Sequence, residues 1–203
     1  MTRISLALLV VLALAACSSD LETVEVTDQD TGYVELYQRS RKTGLREGFY
    51  RKIDPSGVML EEAHYRDDQW HGIRKLFDEQ GRLLREETHR EGRFDGPYKT
   101  FYPDGALDSE GVFEQDEMTG IWKRYYPGGQ LMEEVQFAGN LENGPFREWH
   151  PNGKLKAEGA YLDGDNEHGE LLEYDTTGVL EARKMCERGI CRTLWTREKG
   201  DIQ

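Results

Sequence analysis

Residues 120–129 read GIWKRYYPGG and residues 144–153 read GPFREWHPNG. In both, a glycine opens a run of bulky and charged side chains, and a Pro-x-Gly closes it nine residues after the first glycine. Proline presets φ at the first corner of a turn and glycine accepts the left-handed conformation after it, so each stretch predicts a strand entering a tight hairpin. The pattern extends in both directions. Gly48, Gly72, Gly96, Gly120, Gly144 and Gly169 are each followed nine residues on by Gly57, Gly81, Gly105, Gly129, Gly153 and Gly178. The period is 24 residues with one insertion in the fifth copy, the signature of a repeat architecture.

With the first glycine as position 0, position 5 reads Ile53, Phe77, Phe101, Tyr125, Trp149, Tyr174 and position 11 reads Met59, Leu83, Leu107, Leu131, Leu155, Leu180. Position 17 is Tyr65, His89, Phe113, Phe137, Tyr161 and Cys186. Each unit is strand, Pro-x-Gly turn, strand and second loop, with no room for a helix. The predicted fold is all-β, an elongated antiparallel β-meander of six tandem hairpins.

Positions 11 and 17 have the same parity, which predicts that they share a face of the second strand. A three-residue turn with its glycine in a bulge opposes position 5 to position 11, as in Phe77 and Leu83, and gathers one apolar face. A four-residue turn instead opposes the basic column Arg51, Lys75, Lys99, Lys123, Arg147 to the acidic column Glu62, Glu86, Glu110, Glu134, Glu158. The first register is preferred for its apolar face; the unbroken charged columns keep the second open. Position 2 carries Tyr50, Tyr98, Trp122 and Phe146, on the face opposite position 5 in the first register. A single-layer sheet cannot bury both faces, so these four are candidate partner-binding residues. The competing reading is that the sheet curls and they pack among themselves.

At the N-terminus, Arg3 precedes an apolar run from Ile4 to Leu14, followed by Ala15, Ala16 and Cys17. A bilayer needs about 20 apolar residues, so the run reads as an export signal rather than a span. Leu14-Ala15-Ala16-Cys17 resembles the lipobox of bacterial lipoproteins, which implies cleavage before Cys17 and its lipidation with palmitate-type chains. By the same resemblance, Ser18 in place of an aspartate directs the anchor to the outer membrane, on its periplasmic side. The expected organisation is a signal peptide at 1–16, an acidic lipidated tether at 17–32, a capping strand at 33–47, the array at 48–195 and a tail at 196–203.

Loss of Arg3 with the signal takes the formal charge from −13 to −14. Such a field disfavours nucleic acid and anionic lipid headgroups and favours a basic protein partner. In an exported chain, Cys186 and Cys191 remain to pair, and four intervening residues suffice for a hairpin loop between them.

The segments at 120–129 and 143–153 resemble MORN repeats of the variant bacterial class, and the likeness extends from Gly48 to Cys191. The resemblance implies an extended antiparallel sheet. Many bacterial proteins with this repeat are grouped as YwqK-type antitoxins, which makes neutralisation of a basic toxin the alternative to a general protein-binding scaffold. Lipid headgroup binding is a third reading and conflicts with the charge.

No enzyme, cofactor or metal is expected. His71 and His168 stand just before repeat glycines, where other copies carry Asp95, Thr119 and Asn143, and so read as turn residues. Asp163, Asp165 and Glu167 offer alternating oxygens, but His168 and Tyr174 occupy the places where a calcium loop wants glycine and glutamate. Phosphate loop, zinc motif and nucleophile elbow are all missing.

Overall fold

The computed structural model describes residues 20–202. The signal segment, Cys17 and Ser18 lie outside the described residues. The described chain is one open antiparallel sheet of 17 strands in which each strand pairs with the next, except that β5 and β6 both pair with β4. The first two are β1 (Leu21–Thr27) and β2 (Val34–Ser40). The first two repeats supply β3 (Arg46–Ile53), β4 (Met59–Arg66), β5 (Gln69–Trp70), β6 (Gly72–Phe77) and β7 (Leu83–Arg90). Then come β8 (Arg93–Phe101), β9 (Leu107–Glu114), β10 (Glu117–Tyr125), β11 (Leu131–Ala138), β12 (Leu141–Trp149) and β13 (Leu155–Tyr161). The last are β14 (Gly169–Tyr174), β15 (Leu180–Glu187), β16 (Ile190–Thr196) and β17 (Gly200–Asp201). β5 and β6 are parts of one strand interrupted at His71, and both pair with β4.

Two hairpin types alternate. In the first turn, Pro-x-Gly in four units and Glu79-Gln80-Gly81 and Thr176-Thr177-Gly178 in the second and sixth, the glycine N–H bonds the carbonyl three residues back, as in Gly129 to Tyr126 at 2.7 Å, and the six turn glycines have φ between 76° and 92°. The second loop is a two-residue turn with two successive positive φ values, such as Gln115 at 51° and Asp116 at 72°. That is the type I′ geometry whose twist matches the strands it joins.

The two registers that compete in the sequence are both present, on the same hairpin. Ile53 pairs with Met59, Phe77 with Leu83, Tyr125 with Leu131 and Trp149 with Leu155. One step further in, a bulge absorbs one residue, and Arg51 then opposes Glu62, Lys75 opposes Glu86 and Lys123 opposes Glu134. The bulge corrects the expectation for position 17. One extra residue between positions 11 and 13 inverts the alternation, so position 17 emerges with positions 2, 13 and 15, on the face opposite positions 5 and 11.

The sheet therefore has two unlike faces. On the ladder face, the five predicted ion pairs form at N–O distances of 3.1 to 3.8 Å. Each of the first four glutamates also stands opposite a cation in the register of the next strand, Glu62 to Lys75, Glu86 to Lys99, Glu110 to Lys123 and Glu134 to Arg147. Charges alternate along the row and cancel. Exposed pairs contribute only about 0–1 kcal/mol each, so the ladder fixes register more than it adds stability.

On the packed face, large and small residues alternate across the strands: Tyr98, Gly111, Trp122, Val135, Phe146, Gly159. The position 17 rings close over this row. Phe146 stacks on Tyr161 at 4.3 Å, and Phe113 meets Tyr98 and Trp122 edge-on at 5.4 and 5.2 Å. Such pairs add about 0.5–1.5 kcal/mol each beyond the area they bury. Glycine is required at position 111, because a Cβ there would fall inside the Trp122 indole. The Pro-x-Gly ends are tied together as well: Tyr102 Oη donates to the Tyr125 carbonyl at 2.6 Å and Tyr126 Oη to that of Trp149 at 2.9 Å.

The ends of the array differ from expectation in extent. Leu21–Thr27, placed by sequence in a tether, is a full strand paired along its length with β2. Its Thr23-Val24-Glu25-Val26-Thr27 alternation is too short and too acidic to continue the columns of the repeats. In the expected tail, Gly200 and Asp201 fold back onto Thr196 and Trp195.

Candidate binding face

The packed face is continuous in the sheet but not in chemistry. In the second repeat, position 2 is Arg74, position 15 is Glu87 and position 17 is His89, where neighbouring repeats carry rings and small residues. Glu87 is 1% exposed. Its carboxylate lies 3.1 Å from Arg74 Nη1, 3.0 Å from His89 Nε2 and 2.6 Å from Arg85 Nε. The Arg85 approach is a contact of charges without an aligned hydrogen bond. Arg74 also binds Glu61 at 2.7 Å and lies over the Trp70 ring at 4.8 Å. Burial pushes the Glu87 carboxyl up, but His89, Arg85 and Arg74 outweigh burial and hold it below the ordinary carboxylate value. A histidine held by a carboxylate is the orienting half of a catalytic arrangement. Here the carboxylate is closed to solvent and the ring is 4% exposed, so substrate has no approach and the cluster is a structural one.

The other half of the packed face is acidic. A groove of about 360 Å3 crosses the fifth and sixth repeats, floored by Phe146, Tyr161 and Leu171 and rimmed by Glu148, Glu167 and Glu173. A smaller one of about 210 Å3 adjoins it in the fourth repeat, lined by Trp122, Phe137, Glu133 and Glu142. Three cations answer these carboxylates: Arg124 stands 3.8 Å from Glu133, Lys156 2.6 Å from Glu148 and Lys184 2.6 Å from Glu173. Glu142 and Glu167 form no ion pair among the described residues. The crowding has an electrostatic consequence. Burial, then Glu133 and Asp165, push the Glu142 carboxyl up; Glu133 is also raised, by burial first, with Arg124 opposing and Glu148 adding to it. Burial followed by Glu142, Glu148, Glu133 and Glu167 raises the Tyr161 hydroxyl.

The four candidate aromatics lie on the packed face. Tyr50 and Phe146 are 5% and 4% exposed, and Tyr98 and Trp122 are half-buried. They are therefore not an open surface but the floor of the packed face, because the bulge brings the position 17 rings over them. What sequence reading missed is the rim. Glu142 and Glu167 each stand two residues before a repeat glycine, and Glu148 and Glu173 each four after one, but other copies carry Arg46, Trp70, Phe94, Met118 and Lys52, Leu76, Thr100, Arg124 at these places, so no unbroken acidic column marks them.

Cys186 and Cys191 are directly opposed on β15 and β16 and joined by a disulfide, with Cα atoms 3.9 Å apart. Among the described residues no group of three His, Cys, Asp or Glu side chains is placed to hold a metal ion. His150, beside the Pro-x-Gly turn of the fifth unit, has its Nε2 3.0 Å from the Tyr174 carbonyl, the role that tyrosine hydroxyls play in the two preceding units. Another recess, about 680 Å3 between Glu181, Thr193, Arg197 and Ile202, lies where the sheet runs out and has no aromatic floor.

This geometry defines a tandem β-hairpin array. Three consecutive stretches, residues 94–115, 118–138 and 142–163, match the family described as MORN repeat variant. They span the third to fifth units, the part of the array with the regular aromatic and Pro-x-Gly columns. No curated protein matches the chain.

Proposed function

We propose that the chain is a non-catalytic scaffold that holds a basic protein partner in the bacterial cell envelope, anchored through lipid on Cys17 in the outer membrane and facing the periplasm. The observation that carries this reading is the imbalance between the faces: charges on the ladder face cancel rung by rung, whereas Glu142 and Glu167 on the packed face have no cation. Charged groups arranged in this way favour encounter with a partner of opposite sign. Leu14-Ala15-Ala16-Cys17 supports the anchor. Crosslinking the protein in its native membrane and identifying what it captures tests the proposal, with a basic envelope protein as the expected catch. Capture of acidic or random proteins alone would refute it.

The same acidity favours a second reading, an immunity protein that sequesters a basic toxin, in line with the antitoxin grouping of similar repeats. Growth rescue against a toxin encoded beside it separates the two.

A further inference from the structure

We infer that the packed face of the fourth to sixth repeats is a docking groove for an extended, arginine- or lysine-bearing segment of a protein, laid across the strands. The inference rests on the scaffold reading above and names its site. Each requirement of such a ligand has a counterpart in the groove. A guanidinium or ammonium head prefers an aromatic face with carboxylates beside it. Tyr161 and Phe137 form the floor, with the buried Phe146 stacked behind Tyr161, and Glu142 and Glu167, which like Glu181 at the far end form no ion pair among the described residues, stand on the rim. The ladder face has many carboxylates too, but Glu62, Glu86, Glu110, Glu134 and Glu158 each already hold a cation across the hairpin, which an arriving one would have to displace.

Spacing adds a second constraint. Successive hairpins advance by two strand separations, about 9.6 Å, and three residues of extended chain span about 10 Å. A basic residue at every third position therefore places one cation in each repeat. The first half of the same face offers no equivalent. There Arg74 and Arg85 are positive, and the buried Glu87 is already surrounded.

The test uses the full-length chain solubilised in non-ionic detergent and titrated calorimetrically with the peptide acetyl-(Arg-Ser-Thr)4-amide. Replacing both rim carboxylates, Glu142→Gln with Glu167→Gln, weakens binding by about tenfold or more, as expected when desolvated charge pairs are lost. A charge-matched control, Glu79→Gln with Glu91→Gln in exposed loops of the second repeat, changes it by less than about twofold, the screened long-range share. Equal weakening in both variants would reduce the groove to general electrostatics and overturn the inference, as would absence of binding by the unmodified chain. Thermal melts of both variants confirm the fold, which loss of two unpaired charges does not weaken. If native crosslinking captures a basic partner and the rim variant captures it equally well, the scaffold reading stands and the groove falls.

Discussion

The second and fifth repeats occupy equivalent places in one sheet and solve the same packing problem with opposite chemistry. In the fifth, Phe146 lies over Gly159 and stacks on Tyr161. In the second, the corresponding positions hold Arg74, Glu87 and His89. Both are buried, but their stability depends on different things. An aromatic cluster loses roughly what is removed from it, whereas a buried ionic cluster fails as a unit once one member leaves the others uncompensated.

Substituting Glu87→Ala should therefore have the largest effect, a loss of about 3–5 kcal/mol, read from the urea midpoint, because two arginines lose their buried counter-charge. The comparison sharpens if the whole cluster is exchanged for third-repeat residues, Arg74→Tyr, Arg85→Ser, Glu87→Gly and His89→Phe. That variant should equal or exceed the natural chain in stability, since apolar replacement of a buried ionic group is often neutral or stabilising. A large loss would mean that the cluster does more than fill space.

In the apolar half, Gly111→Ala should cost about 1–3 kcal/mol by forcing the Trp122 ring aside. Reducing Cys186–Cys191 should cost about 2 kcal/mol, the chain entropy of so short a loop, visible as a lower melting temperature in dithiothreitol.

The smallest effect is on pH, and it has opposite signs in the two halves. The Glu87 carboxyl is held below its ordinary value of 4.5, so its contribution is complete above that pH and is lost as pH falls through the lower folded value. The Glu133 and Glu142 carboxyls are held above 4.5. The native chain takes up protons there first, and stability gains as pH falls from neutral through their folded values. Denaturation followed from pH 7 downward should show a slight rise and then a fall, and Glu142→Gln should diminish the rise alone.

Much of this molecule was readable before folding. Glycine and proline at fixed spacing dictate turns through φ preferences that act locally, and the 24-residue period follows from the same residues. The charged columns were equally plain, although they looked like a rival to the apolar register rather than its companion. The candidate groove was legible only in its sign, as excess negative charge.

The sequence by itself determined the six repeat hairpins and the pairing of the two cysteines, and it offered the ladder partners as one of two registers, because each depends on residues near in the chain or on strict periodicity. Only the tertiary structure decided which face each column joins. A bulge is one residue of extra backbone whose side chain need not be unusual, yet it reverses every side chain beyond it. That reversal turned Tyr50, Tyr98, Trp122 and Phe146 from an expected exposed surface into the floor of the packed face, and it left glutamates confined to the later repeats to form the rim.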